Sequence, residues 1–370
     1  MPETRFVYVT RLPPSPSGVA LYARDFHSVL LLLGPVQTVA LPGSPHDSQR
    51  VSTLLATVRQ VTAALHRHPD AVVMVELAGR GLAEFWTALA VRAVRPRTRL
   101  WLTVHDAPAV TGGPFFLSPL DRKGGRRVAA ALSRTAGHTA ERRLLASADR
   151  VFCLSAGGAQ AVRDRYELTR SVNRLPHVAI ARRAIKQRIV FVAGYLDGAE
   201  NVLPVLQALA GAPKGWTVEV GACGPQTEND IRRAANTLGV GQRVSLLGHV
   251  DEEQLAQAYA RAAIVVRFRL DGWQHPDGSQ RWAVSGPLLH AMAHGCAIVT
   301  NDSRGTRECL DDSKAVRVAT GHPGADELTT ALRNLMNNPG RTGRLGNCAL
   351  EHVRAEHEPP VLAAMLKGLP

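Results

Sequence analysis

The chain alternates short, almost wholly apolar runs with longer amphipathic ones. Phe6–Thr10, Thr38–Leu41, Ala71–Leu77, Arg99–Val104 and Val151–Leu154 read as buried strands. The segments between them carry helical periodicity: Val19–Leu33 with Ser17 as N-cap, Val51–His66, Leu82–Val94, part of Arg126–Ser147, and Gly158–Arg165. Residues 171–187 break the pattern with Pro176 and four Lys/Arg. It then restarts with strands at Arg188–Ala193, Thr217–Val220, Val244–Leu247, Ile264–Val266 and Ala297–Thr300. Helices over Val202–Leu209, Glu228–Leu238, a segment capped by Asp251 and running to Arg261, and Gly286–His294 separate them; Asp326–Asn337 and Arg344–His357 close the chain. Strand–helix alternation at this spacing predicts an α/β protein of two doubly wound parallel sheets.

The expected division is a first Rossmann-like domain at 1–175, a linker at 176–187 and a second domain at 188–350. A C-terminal helix over about 352–370 is expected to pack back on the first domain. The polar stretch 271–283 stands where such folds usually have a short loop.

A length of 370 residues and 45% hydrophobic composition suit two soluble domains. No apolar window is long enough for a membrane span, and no basic head with an apolar run marks a leader, so a cytoplasmic protein is expected. The five cysteines include no C-x-x-C pair, so neither a disulfide framework nor a zinc site is expected. Charge changes the picture more. The net charge is +13, and residues 90–188 hold 20 Lys/Arg against six Asp/Glu. This basic middle has two readings, a solvated surface and a face for an anionic partner. No interleaved aromatics favour nucleic acid. Phe115–Leu117 with the arginines of 122–143 would suit peripheral contact with anionic lipid.

The candidate chemistry gathers where strands end. Ligands of open α/β sheets bind beyond the carboxyl ends of the strands, and Gly18, Gly194, Gly224 and Gly248 lie at such ends or at the helix starts beyond them. Ser285 and Gly286 open a helix, where free amides favour an anion. Arg267 and Arg269 leave a strand with the same parity and form either one cationic pair at the site or two surface arginines. His105 and Asp106 follow a buried strand as a loop lip; His105 is either a ligand contact or a histidine satisfied in the domain wall.

Seven segments resemble, in order, those of the large group 1 family of two-domain (GT-B) retaining nucleotide-sugar glycosyltransferases. They are TVHD at 103–106, VFCLSAGGAQAV, RIVFVAGYLDGAENVLPVLQAL, VEVGACGP, VSLLGHVDEEQLAQAYARAAIVV, VSGPLLHAMAHGCAIVT and IVTNDSRGTRECL. The resemblance implies a nucleotide-diphosphate sugar as co-substrate, no cofactor and no metal. It assigns His105 to the donor sugar, Gly224, Pro225, His249 and Val250 to the base, Ser285 and Gly286 to the diphosphate, and His290 to the ribose. Ser17 and Gly18 would cradle donor or acceptor, a plain capping turn being the alternative. The chain departs from the family's donor motif. Tyr195 stands where a basic residue follows Gly194, Glu200 where a lysine is usual, and Trp282 and His290 where the family carries paired glutamates. Arg267, Arg269 and Arg281 are the candidate replacements. The acceptor is small molecule, glycan or lipid; a catalytically inactive subunit supporting an active partner is the alternative reading.

Overall fold

A computed structural model describes residues 4–13, 18–42, 50–78, 82–110, 136–193, 196, 198–221, 224–248, 250–270, 282 and 285–369. Two compact units result. The first comprises residues 1–178, 281–283 and 359–370; the second comprises 179–280 and 284–358.

In the first unit β1 (Phe6–Arg11), β2 (Val36–Leu41), β3 (Val72–Leu77), β4 (Leu100–Val104), β5 (Arg150–Cys153) and β6 (Val172–Arg174) form a parallel sheet in the order β2-β1-β3-β4-β5-β6. The helices are α1 (Gly18–Leu31), α2 (Val51–Arg67), α3 (Leu82–Val94), α4 (His138–Ser147) and α5 (Ala156–Arg165), joined by the C-terminal α13 (Pro359–Gly368). β1, β3 and β4 are buried along their whole length, which explains their near-continuous hydrophobicity. Val7, Val9, Val73, Val75 and Leu77 belong to one core cluster with α2 and α3 residues such as Val61 and Phe85. The opposite parity of the same strands carries Tyr8, Met74 and Glu76. Ser155 caps α5 by accepting from the Gly158 amide at 3.0 Å.

In the second unit β7 (Gln187–Val192), β8 (Thr217–Val220), β9 (Val244–Leu246), β10 (Ala262–Arg267), β11 (Ala297–Asn301) and β12 (Ala315–Val318) run parallel in the order β12-β11-β10-β7-β8-β9. Strand order reverses between β7 and β10, the switch point at which such sheets bind ligands. The helices are α6 (Leu203–Ala210), α7 (Pro225–Thr237), α8 (Glu252–Arg261), α9 (Gly286–Ala293), α10 (Arg304–Cys309), α11 (Gly321–Asn337) and α12 (Pro339–Glu356). Asp251 and Gln254 form a reciprocal capping box at the start of α8. Gly295 ends α9 at φ +75° as the sequence predicts, with its amide on Met292 O and that of Cys296 on Ala291 O. A Cβ on Gly346 would fall 2.2 Å from Gly295 O, so only glycine lets α12 approach this turn.

The short elements β6, β12 and α10 add to the predicted set, and the helix expected over about 352–370 is α13 (Pro359–Gly368), with α12 reaching Glu356 before it. Among the described residues no helix is long and apolar enough to cross a membrane. Cys153, Cys296 and Cys309 are buried free thiols and Cys348 is exposed.

Candidate active site

His105 lies in the turn after β4, 7% exposed, its amide continuing the ladder onto Leu77 O at 3.0 Å. Its Nε2 pairs with Glu76 Oε2 at 2.8 Å, and Tyr8 donates its hydroxyl to Glu76 Oε1 at 3.0 Å. With Nε2–H directed at a carboxylate, Nδ1 is the ring position left for a second partner. Tyr22 of α1 meets His105 and His177 edge-on, at centroid distances of 4.6 and 4.9 Å, and stacks on Phe26. Burial, and then the Glu76 charge, drives both phenols well above the usual tyrosine range, so Tyr8 and Tyr22 stay neutral. Nearby, Arg11 at the end of β1 pairs with Glu84 of α3 at 2.8 Å, both side chains buried. Burial pushes the Glu84 carboxyl up despite this partner. Asp106 beside His105 is partly buried.

The sequence reading singled out His105 but not Glu76, Tyr8 or Tyr22. The available signal was a lone acid inside the apolar run VVMVEL, because a fully buried carboxylate demands a partner.

In the second unit β10 ends at Arg267, opposite Thr300 of β11. The backbone beyond it is fixed by side chains. Thr300 Oγ1 donates to Arg267 O at 3.0 Å, and Asn301 brackets Arg269 by accepting its amide at 2.7 Å and donating to its carbonyl at 3.0 Å. Asn201 accepts the Leu270 amide at 2.8 Å. Phe268 is buried between the two arginines. Burial pulls the Arg267 guanidinium down to about 10, opposed by Tyr259 and reinforced by the like charge of Arg269. The two arginines therefore act on each other beside the switch point, where an anion would relieve both burial and repulsion.

Ser285 is the N-cap of α9 and its carbonyl takes the amides of Leu288 and Leu289. Pro287 has no amide to offer. The Ser285 hydroxyl oxygen is buried without a hydrogen-bond partner among the described residues. An oriented, unsatisfied hydroxyl beside a helix start suits an anionic oxygen. His290 lies one turn before His294, whose Nδ1 contacts His290 O at 2.8 Å. Burial lowers the His294 imidazole, and the neighbouring Lys186, His290 and Arg182 charges lower it further.

Gly224 and Pro225 open α7, whose first-turn Glu228 has Oε1 3.9 Å from the position of a Cβ on Gly248. Gly248 thus lies beside the first turn of α7 in this unit. Gly18 is the first residue of α1, and among the described residues nothing lies within 4 Å of the position of a Cβ there. Glu200 lies in a 3-10 turn at 199–201 and is exposed, its carboxylate folded toward Gly198.

Trp282 stands where the resemblance places a glutamate. It belongs to the first unit, donating its amide to Ala107 O at 3.2 Å and accepting from Ser155 Oγ at 2.9 Å. Its ring lies so close over Gly157 that a Cβ there would fall 2.1 Å from it. Ser17, Gly194, Tyr195, His249, Arg281 and residues 111–135 lie outside the described residues.

Residues 226–365 match the family model described as glycosyl transferase-like. No curated protein matches the chain in sequence. Among solved structures the fold is similar to a sucrose-phosphate synthase from Thermosynechococcus elongatus, at 15% identity and TM-score 0.66, covering 98% of this chain and 97% of that one. It is similar to Anabaena HepE in complex with UDP and glucose, at 13% identity and TM-score 0.66, covering 98% of each. A glycosyltransferase from Rickettsia africae aligns at 8% identity and TM-score 0.69, over 99% of this chain and 97% of that one. With two parallel Rossmann-like sheets, the chain has the GT-B fold.

Proposed function

We propose that this chain, a GT-B protein whose second domain is glycosyl transferase-like, transfers a sugar from a nucleotide-diphosphate donor to an acceptor with retention of configuration. The observation that carries the reading is the cationic end of β10. Arg267 and Arg269 repel one another beside the strand-order switch, next in chain order to a helix start whose buried serine hydroxyl lacks a partner among the described residues. The protein's task in such a transfer is to orient the sugar and neutralise the departing diphosphate. Arg267, Arg269, Ser285 Oγ and the Gly286 amide take the diphosphate. His290 takes the ribose, and Gly224, Pro225, His249 and Val250 take the base. His105, its tautomer set by Glu76, orients the sugar, with Asp106 at the lip.

The diphosphate itself accepts the acceptor's proton on the face it leaves, so no nucleophile from the chain and no metal enters the step. The C–O bond to phosphate breaks as the bond to the acceptor oxygen forms. HepE, solved with UDP and glucose, supports a UDP-sugar as the first donor to try. The acceptor is a small molecule, a glycan or a lipid.

A second reading is a non-catalytic subunit, favoured by Trp282, which is folded into the first unit where a glutamate would serve the donor. A thermal-shift panel of UDP, GDP, TDP and ADP on wild type and Arg267→Ala separates the two. A ligand of the native state adds ~2.7 kcal/mol at a hundred times its Kd. The enzyme reading expects a raised Tm with one nucleotide, lost in Arg267→Ala; no shift with any of them favours the non-catalytic reading.

A further inference from the structure

The last turn of α12 carries a cluster that sugar transfer does not use. His352 and Glu356 are one turn apart, with Nδ1 3.6 Å from Oε1. His357, at the C-cap, brings its ring to 5.2 Å from that of His352 at an interplanar angle of 65°. One donor atom from each of the three lies within 4.8 Å of the others. The His352 and Glu356 side chains are 11% and 40% exposed, and His357 is 2% exposed. The cluster is therefore sheltered on one side and open to an entering ion on the other.

Two imidazoles and a carboxylate are a zinc donor set, with bonds of about 2.0–2.2 Å that place tetrahedral ligands roughly 3.4 Å apart. Side-chain rotation of Glu356, 40% exposed, supplies the contraction toward the two imidazoles. The end of a helix also favours a cation, through the partial negative charge of its last carbonyls.

The position gives such an ion a structural role. The chain passes between the two units at 178/179 and again at 358/359. Ala179 donates its amide to His357 O at 3.0 Å, and Ala181 donates to Glu358 Oε1 at 3.3 Å. The residues after one crossing are thus hydrogen-bonded to those before the other, and the cluster sits on the same turn.

We propose that His352, Glu356 and His357 bind a zinc ion that fixes the end of α12 and, through it, the 179–181 backbone. Water completes the coordination. The proposal is independent of the sugar-transfer reading, because the site contains none of the donor residues.

The test uses the full-length chain without an affinity tag, stripped by a chelator, incubated with zinc and passed through gel filtration before metal analysis. Wild type is expected to retain about one zinc per chain and to gain Tm on reloading. His352→Ala and Glu356→Gln are expected to retain at least ~10-fold less, with the Tm of the stripped protein unchanged. Glu356 is 40% exposed, so loss of folding does not confound Glu356→Gln, and the Tm of the stripped protein checks the more buried His352→Ala; the buried His357 is left intact. Zinc retention by wild type no greater than that of the His352→Ala, Glu356→Gln double variant overturns the proposal, as does full retention by the two single variants.

Discussion

In the first unit the buried polar side chains near the strand ends come as matched pairs. Arg11 meets Glu84 and His105 meets Glu76, each at 2.8 Å. In the second unit the same topological position gathers like charge, with Arg267 beside Arg269, and a serine hydroxyl left unsatisfied among the described residues. Two sheets of similar architecture therefore carry opposite electrostatics at their working ends. A matched pair fixes a side chain in place and gains little from an added ion. Where like charges lie together an anion is attracted to both, so binding energy is available there. On the proposed reading the first unit positions and the second unit receives.

Breaking a matched pair should show first as lost stability. Arg11→Met leaves Glu84 buried without its counter-charge, and denaturant unfolding should register a loss of ~3 kcal/mol. Because burial already raises the Glu84 carboxyl, part of that loss should be recovered on lowering the pH toward its pKa, and Arg11→Met, Glu84→Gln should recover most of it.

Breaking the repulsive pair should show as lost turnover. Arg267→Ala is expected to lower kcat/KM for nucleotide-sugar consumption by ~100-fold while circular dichroism remains that of wild type. A comparable fall in stability without a change in kcat/KM would place Arg267 with the matched pairs. Between these extremes lies Glu76→Gln, which keeps a hydrogen-bond acceptor but loses the charge. It should lower kcat/KM by ~10-fold and cost ~1 kcal/mol of stability.

The smallest effect concerns Asp149, which precedes β5. Burial raises its carboxyl, but the Leu100 amide at 2.8 Å and Arg92 at 2.8 Å outweigh it and hold the group below its ordinary 3.8. A depressed acid contributes stability above its unfolded pKa and loses it as pH falls through the folded value. Unfolding free energy should therefore fall between about pH 4 and pH 2, and Asp149→Asn should flatten that fall.

Most of the architecture was legible because parallel strands buried on both faces leave long apolar runs, as in VVMVEL and AIVTN. The elements left unread are short or polar. β6 (VNR) and β12 (AVRV) are edge strands with partly exposed residues, and α10 begins with Arg-Gly-Thr, which carries no helical period. The site was legible in part. His105, Arg267, Arg269 and Ser285 stand out by residue type at strand and helix ends. Their partners do not: Glu76 becomes meaningful only when β3 lies beside β4, and Asn301 and Asn201 only when the end of β11 and the 199–201 turn meet the segment after β10. Trp282 shows the same limit. Its place in the sequence marked it only as a departure from the family's glutamate, and the hydrogen bonds to Ala107 and Ser155 become visible only in the fold.

The most direct test of the contrast is hydrogen exchange on the full chain, with and without a saturating nucleoside diphosphate from the UDP, GDP, TDP and ADP set. The account predicts that one nucleotide slows exchange in residues 264–270 and 285–293, with lesser change over 6–110. Slowing confined to 6–110, or no slowing by any of the four nucleotides, would contradict it.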